Sequence, residues 1–328
     1  MDLFLILVLL LVLGAEFVNG WTDAPNAIAT VVSTRVLSPR SAVFLATLLN
    51  IVGAMSGTAV AATIGKGIVD PSVINLSTIA AAVLAVIAWS SIAAKFGIPT
   101  SESHALVAGL AGAGLASAGP EVLLADGWRK VFIGIGFSTF LGFGISYFIA
   151  KGVKLFFAAR PPGKTKRFFS HLQILSAGFM AFNHGLNDGQ KFIGVFSLAL
   201  VLGGALPVFS IPLWVIILCA SVMGLGTSIG GRKIIQTLGM KMTHLDPWQG
   251  FSAESGASLT ILGASQFGIP LSTTHTITTS IMGVGASRGV SSIRWGVSRD
   301  IALAWVLTFP LCGGIAFGAA LLLQAIVG

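Results

Sequence analysis

The sequence has 328 residues, of which 55% are hydrophobic and only 9% are charged, with a formal net charge of +8. Soluble domains usually carry about 25% charged residues, so this chain has too little charge to cover a water-facing surface. The positive balance does not indicate nucleic acid as a partner, because six basic residues are concentrated in one short central segment. The composition therefore predicts a protein embedded in a lipid bilayer.

Apolar runs with the length of a bilayer crossing recur along the chain. A crossing helix needs roughly 20 mostly apolar residues, and continuous runs are typical of helices, not of membrane β-strands. Cys219 and Cys312 lie inside such runs and are expected to be buried free thiols. The runs cover residues 3–18, 42–64, 79–94, 131–150, 212–229 and 301–327. They predict an all-α, polytopic transmembrane fold.

The central basic segment, residues 151–170, contains no acidic residue. An excess of positive charge marks the cytoplasmic loops of membrane proteins, so the segment is predicted to be a cytoplasmic loop. It divides the chain into a first transmembrane repeat, residues 1–150, and a second, residues 171–328. The six basic residues are Lys151, Lys154, Arg160, Lys164, Lys166 and Arg167.

Two pairs of similar segments support this division. Residues 20–33 (GWTDAPNAIATVVS) resemble residues 185–197 (GLNDGQKFIGVFS), and residues 97–114 resemble residues 268–285. The first pair aligns Asp23 with Asp188 at an offset of 165, and the second aligns His104 with His275 at an offset of 171. Transporters commonly contain such repeats in inverted topology, with broken helices around a site where the halves meet. We therefore expect inverted repeats, broken helices and re-entrant helical hairpins.

The segments IPTSESH (98–104) and IPLSTTH (269–275) combine a proline with several hydroxyl side chains. Proline favours a helix start, and a helix start offers free N–H donors and partial positive charge to an anion. Serine and threonine add neutral donors that can turn toward an oxyanion. The alternative is ordinary N-capping of the following helices.

The acidic segments TDAPN and NDGQK have the opposite chemistry. Asp23 and Asp188 each lie among side chains that carry oxygen, next to an expected helix break that frees backbone carbonyls. Hard cations prefer oxygen ligands, and an ionised carboxylate in the hydrocarbon region is costly unless it is paired. These segments therefore predict cation sites. The alternative is a structural aspartate that caps a half-helix.

Five further residues keep more than one interpretation. Glu16 and Glu254 are either additional cation ligands or acids protonated in apolar surroundings. Lys191 could contact an anion, pair with Asp188 or snorkel to an interface, and the last two are favoured. His104 and His275 could relay protons, but orientation of the hydroxyl segments through hydrogen bonds is favoured.

With these motifs, the chain resembles the inorganic phosphate transporter (PiT) family, which is marked by a duplicated Gly-x-Asn-Asp signature and by Pro-x-Ser-x-x-His segments. The second half matches both patterns, in GLNDGQK and IPLSTTH. The first half departs from the Gly-x-Asn-Asp signature: Thr22 stands where the family usually has asparagine, and Pro25 lies between Asp23 and Asn26. Thr22 keeps an oxygen ligand but lacks the amide donor.

The resemblance implies a secondary transporter of the cell (inner or plasma) membrane that imports phosphate with a cation gradient and needs no cofactor besides its coupling ions. Sodium is favoured, and proton-coupled transport of phosphate, metal–phosphate or sulfate is the alternative. A homodimer is left open. The predicted phosphate ligands are Thr100, Ser101, Ser103, Gln190, Ser272, Thr273 and Thr274. The predicted sodium ligands are Thr22, Asp23, Asn26, Glu102, Asn187, Asp188 and Glu254.

Two other classes of function are less well supported by the motifs. A channel would need a continuous polar pore, whereas the polar residues cluster at four short segments. An intramembrane enzyme would need a nucleophile and a base oriented by a third group, and the serine and histidine of IPTSESH lie too close in sequence to form one by themselves. We therefore expect a transporter and not an enzyme.

Overall fold

A computed structural model of the chain describes residues 2–327, and this part is almost entirely helical. Between the helices, the described residues form only one isolated antiparallel bridge, between Val69 and Leu123. The helices of the first half are α1 (Leu3–Thr22), α2 (Pro25–Ser33), α3 (Pro39–Ala54), α4 (Ala59–Gly67), α5 (Leu76–Phe96), α6 (Glu102–Ala118), α7 (Ala125–Gly136) and α8 (Gly142–Phe157). Those of the second half are α9 (Pro162–His184), α10 (Gln190–Leu202), α11 (Leu213–Ile229), α12 (Arg232–Gln236), α13 (Pro247–Gln266), α14 (Thr273–Arg288) and α15 (Trp295–Val327).

The order of elements in the first half recurs in the second. Helices α3 and α4 form a pair bent by 68°, and α11 forms a pair bent by 65° with α12 and its π-helical extension. Each half then has a helical hairpin, α5–α6 or α13–α14, followed by a short 3₁₀ turn and a long helix. The two halves therefore share one element order, and their inverted relation stays a prediction.

Several helices are suited to crossing a membrane. Four helical stretches are long and apolar enough to span it, and the number rises to six if each bent pair counts as one span. The four are Leu3–Ser33, Leu76–Phe96, Ala125–Phe157 and Trp295–Ile326. The predicted all-α, polytopic fold is confirmed, but the apolar run 42–64 is the bent pair α3–α4 and not one straight helix.

The central basic segment is more regular than predicted. Helix α8 continues to Phe157 and α9 begins at Pro162, so only residues 158–161 connect them. The positive charges lie mainly on helix ends, because lysine and arginine are good helix formers and Pro162 can begin a helix at its first turn. The predicted loop is thus wrong in conformation, and its cytoplasmic position stays a prediction.

The acidic segments interrupt the helices less than the predicted helix breaks would. Asp23 and Ala24 form a turn between α1 and α2, in which the N–H of Asn26 donates to the carbonyl of Asp23 (2.9 Å). Pro25 begins α2, a position where its missing N–H costs nothing. In the second half, Gly185–Gly189 is a π-helical segment that joins α9 directly to α10. Such π segments are frequent at functional sites.

The hydroxyl segments form the tips of the two hairpins. Gly97 ends α5 with a φ of +70°, and Gly268 follows α13 with a φ of +62°, a region that glycine adopts without steric cost. The chain then runs extended through each proline to Ser101 or Ser272, the N-cap residue of α6 or α14. The proline thus precedes the cap instead of occupying the first helical position, since it favours an extended residue before it.

Apolar packing joins the two halves. One buried cluster combines Val83 and Leu106 from the first half with Phe192 from the second. The other combines Ile28 with Met180, again one residue from each half. Both cysteines are buried and free, as predicted.

Candidate ion and anion site between the two halves

The duplicated aspartates meet in the interior of the protein. Asp23, at the end of α1, and Asp188, in the π-helical segment, are both buried together with His184. One ligand atom of each residue lies within 4.8 Å of the others. His184 Nε2 is 3.3 Å from Asp188 Oδ2 and 4.0 Å from Asp23 Oδ2. Sequence reasoning missed His184, although it lies four residues before Asp188 and thus on the same helical face.

A chain of hydrogen bonds sets the orientation of His184. The hydroxyl of Thr227 donates to the carbonyl of Met223 (2.9 Å) and accepts from Asn50 Nδ2 (3.3 Å). Asn50 Oδ1 therefore faces His184 Nδ1 (3.0 Å), which must be the donor. In the neutral ring, Nε2 is then an acceptor that faces the carboxylate oxygens. His184 Nε2, Asp23 Oδ2 and Asp188 Oδ2 therefore converge as three acceptors, and a cation or a proton among them would be stabilised.

Lys191 is buried beside these acids. Its Nζ donates to Asp188 Oδ1, to Ser103 Oγ and to the carbonyl of Leu271 (2.9 Å). The predicted pairing with Asp188 is confirmed, whereas the snorkelling interpretation is wrong because the ammonium has partners inside the protein. One lysine against two ionised aspartates leaves an excess of one negative charge in the cluster.

Hydroxyls of the second hairpin contact both carboxylates. Thr273 Oγ1 lies 2.5 Å from Asp188 Oδ2 and 3.4 Å from Asp23 Oδ2. Thr274 Oγ1 lies 2.5 Å from Asp23 Oδ1 and 2.9 Å from the carbonyl of Thr100. The expected anion and cation segments are therefore in direct contact. Each threonine has a single O–H to share between its acceptors.

The two hairpin tips hold each other through a matched pair of bonds. Ser103 Oγ donates to the carbonyl of Leu271 (2.7 Å), and Thr274 Oγ1 donates to the carbonyl of Thr100 (2.9 Å). Ser103 and Thr274 are related by the sequence offset of 171, and so are Thr100 and Leu271. Each half thus supplies a hydroxyl to the backbone of the other half.

A second matched pair connects the acidic segments with the hairpins. Asn26 Nδ2 donates to Thr274 Oγ1 (2.8 Å), and Lys191 Nζ donates to Ser103 Oγ. Asn26 and Lys191 are related by the offset of 165, and each also donates to the aspartate three residues before it. The donor in this contact is therefore a neutral amide in the first half and a cationic ammonium in the second.

Ser101 and Ser272 are N-cap residues. Ser101 Oγ accepts from the backbone N–H of His104 (3.2 Å), and Ser272 Oγ accepts from that of His275 (3.1 Å). For these two serines the N-capping interpretation is what the geometry shows. Each cap can still donate its own hydroxyl hydrogen toward a ligand.

The two histidines pack as aromatic rings. The ring centroids of His104 and His275 are 4.4 Å apart edge to face, and His275 stacks on Trp305 at 3.6 Å. Neither ring nitrogen of His275 has a hydrogen-bond partner among the described residues. Orientation of the hydroxyl segments by the His275 ring is therefore wrong. Trp305, which sequence reasoning missed, contacts the segment instead by donating from Nε1 to the carbonyl of Pro99 (3.2 Å).

Glu102 and Thr22 pair with each other. Glu102 Oε1 accepts from Thr22 Oγ1 (2.7 Å), and Oε2 accepts from Ser90 Oγ (2.6 Å). The same hydroxyl hydrogen of Thr22 is shared with the carbonyl of Val18, which lies 2.8 Å from Oγ1. The side-chain oxygens of these two predicted sodium ligands thus bond each other, beside the aspartate pair.

Glu254 forms a separate buried cluster. Its carboxylate accepts from Thr30 Oγ1, from Gln173 Nε2 (3.1 Å) and from Ser176 Oγ. Thr30 belongs to the first half, so this cluster also bridges the halves. No hydrogen bond among the described residues connects it directly with Asp23 or Asp188.

Three other residues have partners away from the aspartates. Asn187 Nδ2 donates to Ser265 Oγ (2.8 Å), and Glu16 accepts from Asn19 Nδ2 (2.9 Å). Gln190 Oε1 accepts from the backbone N–H groups of residues 60 (3.0 Å) and 61 (3.4 Å) at the start of α4. The structure therefore brings together Asp23, Asn26, Asp188, Ser103, Thr273 and Thr274. The side chain of Gln190 instead contacts the start of α4.

Known proteins resemble this chain over most of its length. Residues 19–316 match the model of the phosphate transporter family. A "Probable low-affinity inorganic phosphate transporter" of Rhizobium meliloti (strain 1021) is 42% identical over 90% of this chain and 89% of its own length. A protein of the same description from Bacillus subtilis (strain 168) is 41% identical over 97% and 98%, respectively.

A solved structure has the same fold. "The sodium-dependent phosphate transporter" superposes with a TM-score of 0.81 over 99% of this chain and 100% of that chain, at 24% identity. The family match and the several spanning helices agree with the resemblance noted from the duplicated motifs. This chain is thus a multi-pass membrane protein that belongs to the phosphate transporter family, and it is a transporter and not an enzyme.

Proposed function

We propose that this protein imports inorganic phosphate across the cell membrane by symport with sodium ions. The observation that carries the proposal is the buried meeting of Asp23 and Asp188 between two hairpins rich in hydroxyls. The relatives described as low-affinity inorganic phosphate transporters support the substrate. The structural neighbour, which is described as a sodium-dependent phosphate transporter, supports sodium.

Charge balance supports a coupled mechanism. Asp23 and Asp188 carry two negative charges when ionised, Lys191 carries one positive charge, and phosphate adds at least one more negative charge. Charges without partners are strongly unfavourable in a dry interior. A mobile cation at the carboxylates would neutralise the excess, so anion and cation would bind together.

The shared threonines suggest how the two ligands depend on each other. Thr273 Oγ1 contacts Asp188, and Thr274 shares its one hydroxyl hydrogen between Asp23 and the carbonyl of Thr100. A sodium ion coordinated by carboxylate oxygens would replace these donors and release both hydroxyls for phosphate oxygens. Because each hydroxyl has one hydrogen, it cannot serve the acid and the anion at the same time. In this scheme sodium binds first and prepares the anion site.

A proton-coupled symporter of phosphate, metal–phosphate or sulfate is the second candidate. His184 favours it, since its Nε2 faces Asp188 Oδ2 at 3.3 Å and a proton there would bridge the two groups. The hydroxyl oxygens near Asp23, from Thr273 and Thr274, favour sodium. We rank sodium first because, among the acceptor atoms described around the two aspartates, oxygens outnumber the nitrogen acceptor His184 Nε2.

Uptake by purified protein in sealed vesicles tests the proposal. Radiolabelled phosphate should accumulate when an inward sodium gradient is imposed, and it should not accumulate with potassium at constant pH. Sulfate in excess should not compete. Accumulation driven by a proton gradient alone would establish the second candidate, and equilibration without any cation gradient would indicate a channel.

A further inference from the structure

A cavity of about 450 Å³ lies on the surface beside α4 and α7, apart from the aspartate site. Its charged and polar lining residues include Thr63 and Lys66 from α4, and Asp126 and Lys130 from α7. Gly268, which begins the tip of the second hairpin, also lines it. The motifs found in the sequence do not include these lysines, and the proposed coupling mechanism does not use them.

The position of the cavity in the fold assigns it to one side of the membrane. Helices α7 and α8 form a single stretch, Ala125–Phe157, of 33 residues. At about 1.5 Å per residue this stretch is about 50 Å long, enough to cross a bilayer. Asp126 and Lys130 lie at its beginning, and the basic segment predicted to be cytoplasmic begins near its end. The cavity therefore faces the outside if that segment is cytoplasmic.

The residues that line the cavity carry a net positive charge. Lys66 and Lys130 stand against the single acid Asp126, and neither lysine forms a salt bridge among residues 2–327. Lys66 Nζ lies 5.8 Å from the centroid of the Phe209 ring. A concave surface with a net positive charge concentrates anions and accelerates their capture. The cavity thus suits a small oxyanion.

A short chain of contacts links the cavity to the hairpin. Lys130 Nζ donates to Thr63 Oγ1 (3.2 Å), and Thr63 Oγ1 donates to the carbonyl of Gly268 (2.8 Å). Five residues later the same hairpin contributes Thr273 to the aspartate site. Gln190 caps the start of α4 and is followed directly by Lys191. Helix α4 therefore lies between the cavity and the site.

We propose that Thr63, Lys66 and Lys130 form an outer vestibule that binds one phosphate oxyanion before it enters the central site. The inference rests on the proposed function and adds a second, external anion site to it. A phospholipid headgroup shares the phosphate chemistry. We commit to free phosphate because the vestibule floor, Thr63 and Gly268, leads toward the hairpin.

Substitutions that remove one charge at a time test the vestibule. Lys66→Gln and Lys130→Gln should each raise the phosphate concentration for half-maximal uptake about three- to tenfold at low ionic strength, with an unchanged maximal rate. Asp126→Asn should lower this concentration. Lys66→Arg should leave this concentration close to the wild-type value, since arginine keeps the charge. Lys154→Gln, at the other end of the α7–α8 stretch, is the matched control and should have no effect. High salt should diminish all of these differences.

Two further measurements, a comparison of lipids and a binding assay, distinguish failure of the vestibule from failure of the proposed function. The variants are compared in vesicles of phosphatidylcholine alone and in vesicles that also contain phosphatidylglycerol; an effect seen only with the anionic lipid would assign the lysines to a headgroup and overturn the vestibule. If the wild type takes up phosphate and the lysine variants match it at low salt, the vestibule is wrong and the proposed function stands. If the wild type takes up no phosphate, the proposed function fails. The vestibule is then judged by phosphate binding to the purified variants, and equal binding to all of them would refute it.

Discussion

Single residues make the two halves unequal although their motifs match. Position 26 of the first half is asparagine, whereas the related position 191 of the second half is lysine. Asp188 is therefore paired with a buried cation, and Asp23 has an amide and a threonine as partners. Motif similarity predicts equal roles for the two aspartates. The contacts differ, because among residues 2–327 Asp188 pairs with Lys191, whereas Asp23 has no lysine or arginine partner.

Substitution of the two aspartates should reveal this difference. Asp188→Asn leaves the buried Lys191 without its carboxylate and should cost roughly 3–5 kcal/mol of stability. Asp23→Asn should remain close to wild-type stability while losing much of the cation dependence of transport. Adding Lys191→Met to Asp188→Asn should recover stability. Thermal unfolding in detergent measures the stability, and uptake at varied sodium measures the cation dependence. Equal stability of the two single variants would contradict the pairing of Asp188 with Lys191. Unchanged cation dependence of Asp23→Asn would contradict the ion site.

At the scale of elements, the hairpins α5–α6 and α13–α14 act as one unit. Their tips exchange the bonds from Ser103 to Leu271 and from Thr274 to Thr100. Such an arrangement keeps two helix starts and their hydroxyls near one position, where the partial positive charges favour an anion. Capping alone, as shown for Ser101 and Ser272, would not require the tips to meet.

Removal of the exchanged hydroxyls should weaken phosphate binding. A hydrogen bond to a charged group is worth about 1.5–3 kcal/mol, so Ser103→Ala and Thr274→Ala should each reduce phosphate affinity roughly ten- to a hundredfold. Because both donors would face one ligand, their effects should be non-additive in the double variant. Ser138→Ala removes a buried hydroxyl that donates to Gly134 outside the hairpins, and it should change stability only. Normal phosphate affinity in folded Ser103→Ala and Thr274→Ala proteins would rule out an anion between the tips.

In the whole molecule, two groups of charged residues lie at opposite ends of the α7–α8 stretch. The vestibule lies at the start of this stretch, and the basic segment from Lys151 to Arg167 surrounds its end. Positive charge near helix ends sets the orientation of membrane proteins with the basic side in the cytoplasm. The direction of phosphate movement proposed above depends on this orientation.

Accessibility of introduced cysteines checks the orientation. The native Cys219 and Cys312 are buried and should give little background labelling. A cysteine at Ala159, in the exposed connection between α8 and α9, should react with an impermeant reagent only after the cells are permeabilised. A cysteine at the exposed Glu121, before α7, should react in intact cells. The reverse pattern would place the vestibule in the cytoplasm.

Much of this protein could be predicted from the sequence because the bilayer restricts the possible structures. Apolar runs need helices, and matched segments such as GWTDAPN and GLNDGQK indicate a duplicated unit around shared chemistry. Local rules also placed the helix starts after the two Pro-hydroxyl segments. They failed for residues 151–170 and for the acidic segments, since the sequence pattern alone does not distinguish a loop from a helix end, or a break from a π-helical segment.

Contacts between distant residues were decided only by the tertiary structure. His184, Trp305 and the vestibule lysines become relevant through partners that are far away in sequence, such as Asn50 for His184 and Pro99 for Trp305. Which side chains share a buried space depends on how the helices of the two halves pack, and the periodicity of one helix does not contain that information. The sequence by itself therefore determined the membrane fold and the paired motifs. The packing of the halves decided which acids, hydroxyls and cations meet.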